Sequence, residues 1–110
     1  MRPIPRGMLN HTAQLMQDTG DGYHGEVLTP VATLTRVHVA VSVNEAEGRT
    51  DTRTEYKGLL MYDARNSLPR GVTFAPGQRV VYGGTVYRVE AVQPLHDGQR
   101  LHHVEVTLRG

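Results

Sequence analysis

Val80-Val-Tyr-Gly-Gly-Thr-Val-Tyr-Arg-Val-Glu-Ala-Val-Gln-Pro-Leu-His-Asp-Gly-Gln-Arg-Leu-His-His-Val-Glu-Val-Thr-Leu108 is the stretch that decides the fold. Apolar and polar residues alternate along it with a period of two, the repeat of a strand that buries one face. Two dipeptides, Gly83-Gly84 and Asp97-Gly98, interrupt the alternation where two-residue hairpin turns would fall. Around Gly83-Gly84 the count sets Val80 against Tyr87 and Val81 against Val86. Around Asp97-Gly98 it sets Ala91 against Val104, Val89 against Val106 and Tyr87 against Leu108, three apolar pairs on one face. The opposite face carries Arg88, Glu90, His103, Glu105 and Thr107, which suits water or a polar partner. The stretch reads as a three-stranded antiparallel meander.

Further strands lie upstream. Glu55 to Asp63 has Tyr56, Leu60 and Tyr62 on one face and Leu59 and Met61 on the other, so burial of both faces is expected. Val31 to Val43 is the longest β-branched run, with Val31, Thr33, Thr35, Val37, Val39, Val41 and Val43 on one face of an extended chain. His11 to Gln17 alternates and is closed by the turn-rich Asp18-Thr-Gly-Asp-Gly22. Between the two long strands, Asn44 to Thr54 has one apolar residue in eleven and alternating charge, so it is expected to be a long exposed loop. Met1 to Gly7 carries Pro3 and Pro5, which remove backbone donors and extend their predecessors, so an extended arm is expected.

About six strands with one apolar face each must close on themselves or on one another. The expected fold is all-β, a small antiparallel barrel or sandwich with an extended N-terminal arm and one long polar loop. The length of 110 residues fits a single domain spanning 1–110, with the arm at 1–8 and the barrel at 9–110, the exposed loop at 44–54 included. A chain of this size hides only about 60–65% of its unfolded surface, and this one has one Phe, five Tyr and no Trp. A modest core that gains from neighbouring copies follows.

Twelve basic residues against eleven acidic give a formal charge of +1, too little for long-range capture of a polyanion. The absence of Cys excludes disulfides, thiolate catalysis and thiolate-bound metal. The longest apolar runs, Val39 to Val41 and Leu59 to Met61, are far below the roughly 20 residues of a membrane helix. No membrane association is expected, and the first residues show no hydrophobic segment of the secretory kind.

Tests for chemistry find no site. His102 and His103 are adjacent on a strand and should point to opposite faces, while His96 falls opposite Gln99 and His102 opposite Gln93, so no metal-ligand spacing results. Glu45 and Glu47 share a face but lack an apolar wall to shift a pKa. Gly20, Gly22 and Gly25 precede no helical pattern, and there is no Gly-x-Ser-x-Gly elbow. Neither an enzyme nor a cofactor is expected. An oligonucleotide-binding barrel would need stacking aromatics near cations, for which Tyr82, Tyr87 and Arg88 are the candidates, but the register assigns Tyr87 to the core.

The order of features resembles the small head–tail connector proteins of tailed bacteriophages, the phage minor capsid proteins of the head-completion or stopper kind. The resemblance runs through Pro3-Ile-Pro5, Met8-Leu9 and His11-Thr12, the Gly-rich Asp18 to Gly25, the strand Val31 to Val43, the polar loop, the strand Glu55 to Tyr62, and the closing Gly77-Gln-Arg-Val-Val-Tyr82, Gly83-Gly84 and Thr85-Val-Tyr-Arg-Val-Glu90. It implies a structural virion protein at the head–tail interface, assembled in the host cytoplasm, with no catalytic or metal residues. Its copies would form a ring under the portal, a dodecamer in the virion and a monomer when free. The ring would extend and seal the DNA channel, touching genomic DNA transiently and without specificity, and would dock the tail.

On that reading Asn44, Glu45, Glu47, Arg49, Asp51 and Arg53 form the loop that contacts the channel or a neighbouring ring, its mixed signs letting DNA slide past. Arg2, Pro3, Ile4, Pro5 and Arg6 form the arm that contacts the portal or an adjacent subunit. The partners are portal or adaptor proteins, tail proteins and further copies of the chain. A tail-completion or tail-terminator protein is the alternative, with a monomeric nucleic-acid-binding barrel as the rival outside that class.

Overall fold

The computed structural model describes residues 2–47 and 52–110. Six strands, β1 (His11–Asp18), β2 (Leu28–Glu47), β3 (Thr52–Asp63), β4 (Arg79–Tyr82), β5 (Thr85–Asp97) and β6 (Arg100–Arg109), form one antiparallel sheet. It closes into a barrel in the order β1-β2-β3-β6-β5-β4, sealed by the pairs Gln14↔Val81, Leu15↔Val80 and Met16↔Arg79. Among the described residues the only helical element is a 3-10 turn at Arg6–Met8.

The strands tilt steeply. Following the pairs from Ser42 on β2 through Lys57, Arg109, Arg88, Arg79 and Met16 leads back to β2 at Pro30, twelve positions from the start (42 against 30). The stagger explains the length of β2. Its first half pairs with β1 and its second half with β3, so one 20-residue strand serves two ladders.

The Gly83-Gly84 hairpin has the expected register, Val80↔Tyr87 and Val81↔Val86. Both turn glycines have positive φ (59° and 79°), the conformation that a two-residue turn requires and other residues adopt at a cost. The last hairpin departs from expectation. Asp97 pairs with Arg100, so the turn residues are Gly98-Gln99, with Gly98 at φ 63° in the first central position. Val89 therefore faces Leu108 rather than Val106, and Ala91 faces Thr107 rather than Val104. The faces survive because the slip at Val89 is two residues, which preserves the period of two. Beyond Val89 a bulge at Glu90 changes the parity, so that Val92 pairs with Val106 on the core side while Ala91 is exposed.

A second bulge corrects the reading of the valine run. Arg36 stands unpaired between His11↔Val37 and Thr12↔Thr35, with φ 54°. Before it Ala32 and Leu34 face inward; after it Val37 and Val39 do. Val31 is exposed, and Val41 and Val43 lie beyond the barrel's packed interior, so the seven residues do not line one buried face. β3 likewise buries one face, Leu60 and Tyr62, while Leu59 and Met61 are half-exposed.

The core is built from Leu15, Leu34, Val37, Leu60, Tyr62, Val80, Val89, Val106 and Leu108, all nearly inaccessible. Tyr62 and Phe74 meet edge to face at 5.4 Å, and the Tyr62 hydroxyl donates to the Pro69 carbonyl at 2.5 Å. That contact ties the β3–β4 connection over the barrel. There Ser67, fully buried, accepts from Asp63 N and donates to the Arg36 carbonyl, while Thr35 and Leu68 exchange two backbone bonds. The connection thus supplies partners where the Arg36 bulge has broken the β1–β2 ladder.

Candidate assembly surfaces

The segment expected to be an open loop is a ribbon over most of its length. β2 and β3 remain paired through Asn44↔Glu55, Glu45↔Thr54, Ala46↔Arg53 and Glu47↔Thr52. Of the candidate loop residues, Asn44, Glu45, Glu47 and Arg53 are therefore strand positions, and Arg49 and Asp51 lie outside the described residues. The polar composition argued correctly against burial in a core, but it does not stop two backbones from bonding to each other. Past the last pair with β6, Lys57↔Arg109, the β2–β3 ladder runs on by itself. The inward-facing positions of this region continue the core side, leaving Val43 57% and Tyr56 37% exposed.

The N-terminal arm folds back on its own barrel. Arg2, Pro3, Ile4 and Pro5 run without regular structure, and Arg6 enters the 3-10 turn, in which Met8 N and Leu9 N donate to the Pro5 and Arg6 carbonyls. The expected extension through residue 8 thus ends at Pro5. Two histidines pin the arm: His38 Nδ1 donates to the Met8 carbonyl (3.0 Å) and His102 Nε2 to the Arg2 carbonyl (2.9 Å). Pro3 then walls a hollow of about 350 Å³ together with Arg65, Asn66, Arg100 and Leu101.

His102 and His103 do not point apart. A bulge between Leu95↔His103 and His96↔Leu101 leaves His102 unpaired and turns the two rings together, with Nδ1 atoms 2.8 Å apart. Since the Arg2 carbonyl can only accept, His102 donates from Nε2 and offers its Nδ1 lone pair to His103. His103 Nε2 meets the Glu105 carboxylate at 3.2 Å. His103, expected on a solvated face, is 8% exposed because His102 and Glu105 bracket it. Among the described residues no group of three or more His, Asp or Glu is placed to hold a metal ion.

The β1–β2 connection, Thr19 to Val27, is more than the turn its composition predicts. Asp18 Oδ1 accepts from Gly20 N (2.9 Å) and Val27 N (3.1 Å), and Asp21 Oδ1 accepts from Tyr23 N and His24 N (both 2.8 Å). Asp21 Oδ2 also meets His24 Nδ1 at 2.8 Å. The N–H groups of Gly20 and then Val27 hold the Asp18 carboxyl below its ordinary pKa. The backbone N–H and then the ring of His24 do the same for Asp21. The connection presents Tyr23, 87% exposed, at its tip. The signal was Asp at positions 18 and 21, each placed to cap amides two or three residues on.

Comparison with known proteins supports the architecture. No protein-family model and no curated protein matches the chain. Among solved structures, a chain of the "Virion of native gene transfer agent (GTA) particle" is similar over 98% of this chain and 96% of its own, with a TM-score of 0.64 and 21% sequence identity, a likeness of fold.

Proposed function

We propose that this chain is a structural virion protein that forms a head–tail connector ring of the head-completion or stopper kind below the portal. The observation that supports this reading is the end-to-end likeness in fold to a chain of a gene transfer agent virion particle. A match covering nearly all of both chains makes the whole barrel, rather than a shared motif, the unit compared. In this role the barrels form the ring wall, and the paired β2–β3 ribbon carries Asn44, Glu45, Glu47 and Arg53 toward the channel or the next ring. The arm, held to the barrel by two histidine-to-carbonyl bonds among the described residues, would exchange its own barrel for the portal or an adjacent subunit.

The experiment mixes the purified chain with DNA-filled heads bearing the cognate portal and examines the neck by electron microscopy. Ring density below the portal is the expected result. No binding to heads, together with capping of purified tail tubes, would overturn the connector assignment in favour of tail completion.

A further inference from the structure

Two features of opposite charge adjoin on the barrel surface, meeting at the Glu26–Arg79 ion pair. The first is the Asp18–Val27 connection, which holds Asp18, Asp21 and Glu26 and no Lys or Arg. The second is a row of cations. Arg79, Arg88, Arg109 and Lys57 are direct cross-strand neighbours on β4, β5, β6 and β3. Their sequence neighbours Val80, Val89 and Leu108 face the core, so the cations share the outer wall. Adjacent strands stand about 4.8 Å apart, and like charges directly opposite one another destabilise a sheet. Two are relieved within the chain: Arg79 by Glu26 at 2.5 Å and Arg109 by Glu90 at 3.4 Å. Arg88 and Lys57 have no carboxylate partner among the described residues, and Arg88 and Arg109 line a hollow together with Pro76 and Gly77.

The barrel order sets the directions. The acidic connection sits beside β4, through Glu26 and Arg79, whereas Lys57 is on β3, three strands away whichever way the barrel is circled. We propose that copies of this chain associate head to tail, the Tyr23-bearing acidic connection of one copy seated on the Arg88, Arg109 and Lys57 wall of the next. The proposal rests on the ring reading and names its subunit contact. Because the two patches differ, the contact is heterologous and leaves a free patch at each end, the condition for closing a ring. Tyr23, held by the Asp21 bonds to its own loop, is an aromatic anchor of the kind that stacks on guanidinium groups.

Lys57 is the single lysine of the chain, which makes the test specific. Equal amounts of nitrogen-14 and nitrogen-15 full-length chain are mixed at low salt and treated with a carbodiimide, which couples carboxylates to amines. The expected products are mixed-label peptides joining Lys57 to Asp21 or Glu26. They should disappear at high salt and fall at least about fivefold in Tyr23→Ala, an exposed and therefore fold-neutral change. Only same-label products, or mixed-label coupling of Lys57 to other carboxylates, would overturn the proposal. So would duplex DNA retention that Arg88→Glu abolishes with no mixed-label product. A neck ring whose subunit boundaries exclude Tyr23 would overturn this contact while leaving the ring reading standing, and absence of any neck ring would count against that reading alone.

Discussion

At the start of β2 the connection from β1 is held by side chains, with Asp18 and Asp21 together accepting four backbone N–H groups. At the far end of the same strand the connection to β3 is held by backbone, in pairs from Asn44↔Glu55 to Glu47↔Thr52. Both segments are polar and neither can be a core, yet hydrogen bonds hold the described residues of each. A carboxylate staple fixes a compact knob whose shape depends on pH, whereas a ladder fixes a long ribbon whose shape does not depend on side-chain charge. The difference bears on how each would serve an assembly: the knob presents one exposed aromatic, and the ribbon gives reach.

The comparison can be broken most severely at the support that both ends share. Leu34 is fully buried on β2 between the two connections, and Leu34→Ala is expected to cost about 2–5 kcal/mol, read from urea denaturation. It should loosen knob and ribbon together; a loss confined to one end would show that β2 does not act as a single strand. Next in size is Arg36→Val. A β-branched residue at φ 54° is strained, and a cost of about 1–2 kcal/mol is expected, with Arg36→Gly neutral or stabilising. If Val is tolerated without loss, the bulge is not what switches the buried face.

Smaller effects separate the two ends. Asp18→Ala is expected to raise amide hydrogen exchange at Gly20 and Val27 while leaving the amides of β3 and β6 protected. Acid should act the same way on the wild-type chain. Both aspartates have folded pKa values lowered from 3.8, so their stabilisation is complete above that value and is lost as pH falls through the lower folded values. Nuclear magnetic resonance of the Gly20, Tyr23, His24 and Val27 amides would follow it. The smallest effect on stability is expected from replacing residues 46–53 by Asn-Gly, which closes the ribbon on the pair Glu45↔Thr54. Barrel stability should change by no more than about 0.5 kcal/mol, while head–tail joining and DNA retention should fail; their survival would remove the ribbon from the proposed channel role.

The strands and turns of this chain were legible because their causes are local. Alternation in Val80 to Leu108, glycine pairs able to take positive φ, and β-branched density in Val31 to Val43 act over a few residues, and each marked a real strand or turn. The arm and ribbon residues are named as assembly candidates from composition, which reports only where a core cannot be. The paired state of the ribbon was not legible, since backbone pairing leaves little trace in polar side chains. The acidic connection was read as a bare turn because the value of Asp18 and Asp21 lies in which amides they reach.

What the sequence determined by itself is the all-β class, the strand segments and the Gly83-Gly84 register, where turn geometry permits one alignment. The tertiary structure alone decided the faces and the neighbours. Bulges at Arg36, Glu90 and His102 each add one residue, and one residue reverses every side chain that follows. Where they fall is set by residues far along the chain, such as Ser67 bonding to the Arg36 carbonyl and Asp63 pairing with His103. Closure of β1 on β4 likewise brings together segments some sixty residues apart, Leu15 with Val80. The cation row exists only because that closure and those registers set four separate strands side by side, an arrangement that no local pattern encodes.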